Sequence, residues 1–137
     1  MKNAIIWGLL FLLTTDNQKN NYISISHIGI SDKSLYNITI HSEGLKKPWY
    51  PDNYDTNKRD YDSLAKIVVC FNGYTTTPTT SFGVFKITKC NGAKNAVWYV
   101  DKKNAGYLFK SLLAYLNKNP GNEELKFVLS DNLSHIL

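Results

Sequence analysis

Asp101–Asn119 reads DKKNAGYLFKSLLAYLNKN, and the spacing of its apolar residues decides the fold class. Ala105, Leu108, Phe109, Leu112, Leu113 and Leu116 recur at the i, i+3, i+4 interval of a helix with one apolar stripe. Asp101 suits the N-cap, because its carboxylate accepts from the orphan N–H groups of the first turn. Lys118 falls in the last turn, where the helix dipole favours a cation. Pro120 and Gly121 then stop the helix. A leucine stripe must be covered, and the segments on either side carry strand character that can cover it.

Just upstream, Phe82–Lys89 and Ala96–Val100 alternate like strands. They are joined through Cys90–Asn95, where Asn91-Gly92 supplies turn chemistry. Downstream, Leu125–Leu129 predicts a short final strand, followed by a frayed tail over Asp131–Leu137. Nearer the N-terminus, Tyr22–Ile30 predicts a strand. Its isoleucines change phase between Ile25 and Ile28, which a bulge near Ser26-His27 accounts for. Ser31–Ser34 is turn-like, and Tyr36, Ile38 and Ile40 alternate with polar residues. These two segments form a hairpin on paper. A turn at Asp32-Lys33 makes facing residue numbers sum to about 65, which sets His27 opposite Ile38 and His41 opposite Ser24.

Asp62–Gly73 reads two ways. Leu64, Ile67, Val68 and Phe71 fit a helix stripe between Asp62 and a C-terminal Gly73, while Ile67–Phe71 equally suits a buried strand. Length and both end signals favour the helix. The expected class is therefore α+β. It comprises a mainly antiparallel twisted sheet, made of two hairpins plus a C-terminal strand, with one or two helices packed on one face.

Met1–Leu13 has the layout of an export signal: Lys2, then the unbroken apolar run Ala4–Leu13. Ten helical residues cover about 15 Å, roughly half a bilayer's hydrocarbon core, so no stable membrane span is expected. Leu13-Thr14-Thr15 departs from the small-x-small pattern that processing prefers, and a structural helix or an uncleaved anchor is the alternative. The expected organisation is a signal peptide over 1–15 and a single small domain over 16–137, in a secreted or periplasmic protein.

The bulk composition bounds the function without choosing it. The 137 residues are 43% hydrophobic and 20% charged, as in ordinary globular proteins, with formal charge +5. Positive charge suits an anionic partner, or simply aids solubility. Arg59 is the only arginine, and lysine is a point charge rather than a bidentate reader, so nucleic acid is an unfavoured partner.

Catalytic signatures are lacking. There is no G-x-S-x-G elbow and no phosphate-binding glycine loop. Asp55-x-Asn57-x-Arg59 begins like a calcium loop, but Arg59 takes a ligand position that needs oxygen. His27 and His41 lie too far apart on the expected hairpin to share a metal, and His135 sits in the tail. No catalytic residue, metal or cofactor is expected. Cys70 and Cys90 could close a loop of about 20 residues as a disulfide, or remain buried thiols.

Two surface patches remain. Trp49, Tyr50, Tyr54, Arg59 and Tyr61, with Lys46 and Lys47, interleave aromatics and charge as a ligand-binding or interface surface does. The structural alternative is that Trp49 and Tyr50 staple their loop to the sheet. Lys86, Lys89, Lys94, Lys102 and Lys103 form a basic cluster, with Lys86 sharing a face with Tyr99 or Trp98. The leading expectation is a small exported, non-catalytic binding protein: an inhibitor, immunity-type or surface-interaction domain. Its partner would be another protein or a surface glycan or peptide. The alternatives are a small hydrolase assembled from scattered His, Asp and Tyr, and an anion or nucleic-acid binder using the lysines.

Overall fold

The computed structural model describes residues 21–28, 37–42, 52–76 and 84–136. In chain order its elements are β1 (Tyr22–Ile28), β2 (Ile38–Ser42), β3 (Asn53–Thr56), α1 (Lys58–Cys70), a 3-10 turn (Phe71–Tyr74), β4 (Val84–Asn91), β5 (Lys94–Val100), α2 (Lys102–Lys118) and α3 (Glu123–Ile136). The strands form one sheet in the order β3-β2-β1-β4-β5. Three of the pairings are antiparallel, and β2 with β3 is parallel. The class is α+β, as expected; among the described residues the sheet is mixed rather than purely antiparallel, and three helices stand where one or two were expected.

The strand register explains the core. Ile23 faces Ile40, Ile25 faces both Ile38 and Ile87, Ile87 faces Trp98, and Phe85 faces Val100. Residues directly opposite share a face, so these side chains form one apolar surface across four strands. The helices cover it. Tyr61, Leu64, Ala65 and Val68 come from α1, Leu108, Phe109, Leu112 and Leu116 from α2, and Leu125, Leu129 and Ile136 from α3. Phe85 meets Phe109 edge to face at 5.8 Å, an aromatic contact between sheet and helix.

Several expectations need correction. Leu125–Leu129 is not a strand, and the expected frayed tail is helical through Ile136, since Glu123–Ile136 is one helix; Leu137 lies outside the described residues. Leu125, Leu129, Asn132 and Ile136 are its buried positions, at helical intervals of four, three and four. The polar Asn132, fully buried, interrupts the apolar stripe and hides it. The fifth strand is β3, whose NYDT sequence has no apolar alternation and whose parallel pairing no turn signal announces. No bulge interrupts β1, since its ladder with β4 runs unbroken from Tyr22↔Cys90 to Ile28↔Val84. The change of phase simply puts Ile28 on the polar face.

Facing numbers in β1 and β2 sum to 63, so His41 lies opposite Tyr22 rather than Ser24. The two-residue shift keeps every face and sets isoleucine directly against isoleucine. Cys70 and Cys90 are both free. Cys70 ends α1 exposed, while Cys90 is buried on β4 with its Sγ 3.5 Å from the Gly92 carbonyl oxygen.

Other expectations hold. The ambiguous segment is helical, starting at Lys58 with Asn57 as its cap. The β4–β5 turn has Gly92 at φ 64, in the first central position where a tight hairpin turn favours glycine. The predicted capped helix is α2, with Asp101 Oδ1 accepting from Asn104 N–H at 2.8 Å and Lys118 as its last residue. No helix among the described residues is long and apolar enough to cross a membrane. The segment 1–15 lies outside the described residues.

Candidate functional site

The polar face of the sheet carries Tyr22, Ser24, Thr39 and His41, with Lys86 opposite Tyr99 as the alternation requires. His41 Nε2 lies 2.7 Å from Asn53 Oδ1, and its ring is 5.9 Å from that of Tyr22. His27 packs its ring 5.1 Å from Phe85 at the rim of the core face. His41 lies opposite Asp55 in the β2–β3 register, but its Nε2 is engaged by Asn53. Among the described residues neither His27 nor His41 forms an ion pair with a carboxylate, the contact that general-base chemistry would need. Among the described residues, no group of three or more His, Cys, Asp or Glu side chains is arranged to hold a metal.

The densest polar network lies where the start of α1 meets the turn between α2 and α3. Asn57 Oδ1 accepts from Asp60 N–H at 2.7 Å and caps α1. The Asp60 carboxylate accepts from the Tyr115 hydroxyl at 2.7 Å and from Asn122 Nδ2 at 3.0 Å. Arg59 Nε approaches it at 3.6 Å, but that side chain is 76% exposed and contributes little. Asp60 is covered though shallow, and the Tyr115 hydrogen bond leads in holding its carboxyl below its ordinary value. Burial opposes this shift; Asn122, Arg59 and Asn57 add to it. Its oxygens are taken up by the protein's own donors, so Asp60 serves as a structural tie between α1, α2 and the head of α3.

Beside this tie opens a cleft of about 410 Å³. Asn53, Tyr54 and Asp55 of β3 form one wall, and Asn122, Glu123 and Glu124 form much of the other. Three carboxylates edge it, from Asp55, Glu123 and Glu124. The parallel strand is held here by Thr39 N–H donating to the Asp52 carbonyl at 2.7 Å, and by the Thr56 hydroxyl donating to the His41 carbonyl at 2.9 Å. Asp52 adopts a φ of 71 to enter the strand, a left-handed conformation that Asp tolerates better than most residues.

Two further concavities among the described residues are of similar size. One of about 550 Å³ lies between α1 and the β4–β5 hairpin, with Tyr61, Lys66, Cys70 and Lys89 among its lining residues. The other, of about 400 Å³, lies between the first turns of α2 and the end of α3.

No family model, curated protein or solved structure matches the chain.

The five aromatic-patch residues fare differently. Trp49 and Tyr50 lie outside the described residues. Tyr54 is half-buried on β3 and lines the acidic cleft. Arg59 projects from the first turn of α1. Tyr61 belongs to the core at 5% exposure, and its hydroxyl has no hydrogen-bond partner among the described residues. Burial pushes that phenol up to about 12, with the neighbouring Cys90 and Asp62 adding to the shift.

The basic cluster separates. Lys86 lies on the polar sheet face and Lys89 beside α1, while Lys102 and Lys103 join Lys110 around the third concavity. Sequence reading missed the buried, hydrogen-bonded role of Asp60 with Tyr115 and Asn122. The signal that could have found Asp60 is Asn57 followed three residues later by an acid, the spacing of a helix cap with a charged third position.

Proposed function

We propose that this chain is a small non-catalytic binding protein that takes a protein or peptide partner at the corner formed by β3, the start of α1 and the α2–α3 turn. The observation that carries the reading is the 410 Å³ cleft beside Tyr54, edged by Asp55, Glu123 and Glu124. A concave wall with an aromatic ring and three carboxylates complements a segment bearing lysine or arginine, because opposite charge aligns the encounter and an aromatic supplies contact area. Trp49 and Tyr50, a few residues upstream of this strand in sequence, are proposed as further contacts for the partner. Arg59, on the adjoining turn of α1, supplies a donor at its edge. The export-signal layout of Met1–Leu13 supports action outside the cytoplasm.

The test selects a displayed peptide library on the full chain alone, and then measures each winner on the Asp55→Asn, Glu123→Gln, Glu124→Gln variant. The expected winners carry lysine or arginine and bind the variant at least ~10-fold more weakly, a loss of about 1.4 kcal/mol. Winners that bind the variant and the parent alike would refute the corner as the site.

A further inference from the structure

We propose that the notch between the first turns of α2 and the last turn of α3 binds a small anionic amphiphile, with a carboxylate, sulfate or phosphate head joined to a short apolar body. The notch measures about 400 Å³, within the range of small-ligand pockets. Its floor is Gly106 and Ile136, both buried, and its sides are Tyr107, Lys102, Lys103 and Lys110. The ring of Tyr107 is half exposed, and the Lys110 ammonium lies 6.0 Å from its centroid. Three lysines therefore border an apolar floor, a combination that one end of an amphiphile cannot satisfy alone. Lysine ammoniums act as point charges, so the site selects negative charge rather than one head-group geometry.

A second observation bears on the same site. Lys102 and Lys103 occupy the first turn of α2, which holds no acidic residue. Cations there oppose the helix dipole, so helix stability does not account for them. The carboxylate of Asp101 is beside them, but it already accepts the cap hydrogen bond from Asn104. An anion in the notch would meet both the ammoniums and the positive end of the helix. Gly106 keeps the floor open. A Cβ there would meet nothing nearer than Ile136 Cγ2 at 4.0 Å, so larger side chains can be introduced without a backbone clash.

This site is independent of the acidic corner. Eleven helical residues, roughly 17 Å, separate Leu125 at the corner from Ile136 at the notch.

The test titrates the full chain with decanoate, decanol and acetate, following backbone amide signals. Decanoate should move the signals of residues 102–110 and 136 and bind at least ~10-fold more tightly than decanol or acetate. The Lys102→Gln, Lys103→Gln, Lys110→Gln variant should lose at least ~10-fold in decanoate affinity while its Tm stays level or rises. Gly106→Leu, filling the floor, should weaken decanoate with all three lysines intact. Several results would overturn the proposal: no decanoate binding up to its solubility limit, equal binding of decanol, or unchanged affinity in the lysine variant. Binding only to anionic phospholipid vesicles, and not to dispersed decanoate, would also overturn it and assign the lysines to a membrane surface.

Discussion

The two ends of the α2–α3 pair use polar residues in opposite ways. At the turn end, the Asp60 carboxylate accepts from Tyr115 and Asn122 and joins three helices. At the other end, Lys102, Lys103 and Lys110 ring an apolar notch, and two of them stand against the dipole of their own helix. Buried and hydrogen-bonded polar groups hold a fold together; exposed ones that local stability does not explain are free to meet a ligand. Chemistry-bearing residues are therefore best sorted by what they already touch. By that measure Asp60 is structure, although an isolated covered carboxylate beside a cleft would otherwise suggest an active site.

The contrast can be broken at Asp60 first. Asp60→Ala leaves the Tyr115 hydroxyl and the Asn122 amide without their acceptor, and should cost about 2–3 kcal/mol in denaturant unfolding. The pH dependence follows from the depressed carboxyl. Its stabilisation is present above the unfolded value of about 4, and is lost as pH falls from there through the lower folded value. Asp60→Asn should flatten that part of the acid unfolding profile; an unchanged profile would mean that other carboxylates set it.

A smaller effect, of opposite sign, is expected within the core. Tyr61 buries a hydroxyl that has no partner among the described residues, and its phenol is raised to about 12. With the folded value above the unfolded value of about 10, stability is complete below pH 10 and declines as pH rises from there towards 12. Tyr61→Phe removes the unsatisfied oxygen. It should leave stability at neutral pH unchanged or raise it by up to about 1 kcal/mol, and should remove this alkaline decline. A fall of 2 kcal/mol or more, on the scale of a lost buried hydrogen bond, would show that the hydroxyl is engaged after all.

How far the sequence foretold this depends on the element. The helix Lys102–Lys118 was legible because cap, stripe and stop agree within one stretch. The β4–β5 hairpin was legible from its glycine turn. Glu123–Ile136 was not, because Phe127 and Val128 favour strands and the buried Asn132 breaks the stripe that would have revealed a helix. Strand β3 was illegible for a different reason: its place is set by a parallel pairing to β2, a tertiary fact with no local pattern.

The sites inherit these errors. Lys103, Gly106 and Lys110 recur on one face of a correctly read helix, but Ile136 came from a segment read as tail, so the notch had no second wall. The aromatic patch mixed two environments, since Tyr54 lines the acidic cleft whereas Tyr61 is buried in the core beside a separate concavity between α1 and the β4–β5 hairpin. Side-chain direction at the start of α1 depends on where that helix begins, and the sequence reading began it four residues late.

The most direct test of the claim that the turn end is a structural tie is a double-mutant cycle. It compares unfolding free energies of the parent, Asp60→Ala, Tyr115→Phe and the double variant. A shared hydrogen bond at 2.7 Å should appear as a coupling of about 1–2 kcal/mol between the two positions. Effects that add to within about 0.5 kcal/mol would contradict the tie and return the Asp60 carboxylate to the list of groups available for function.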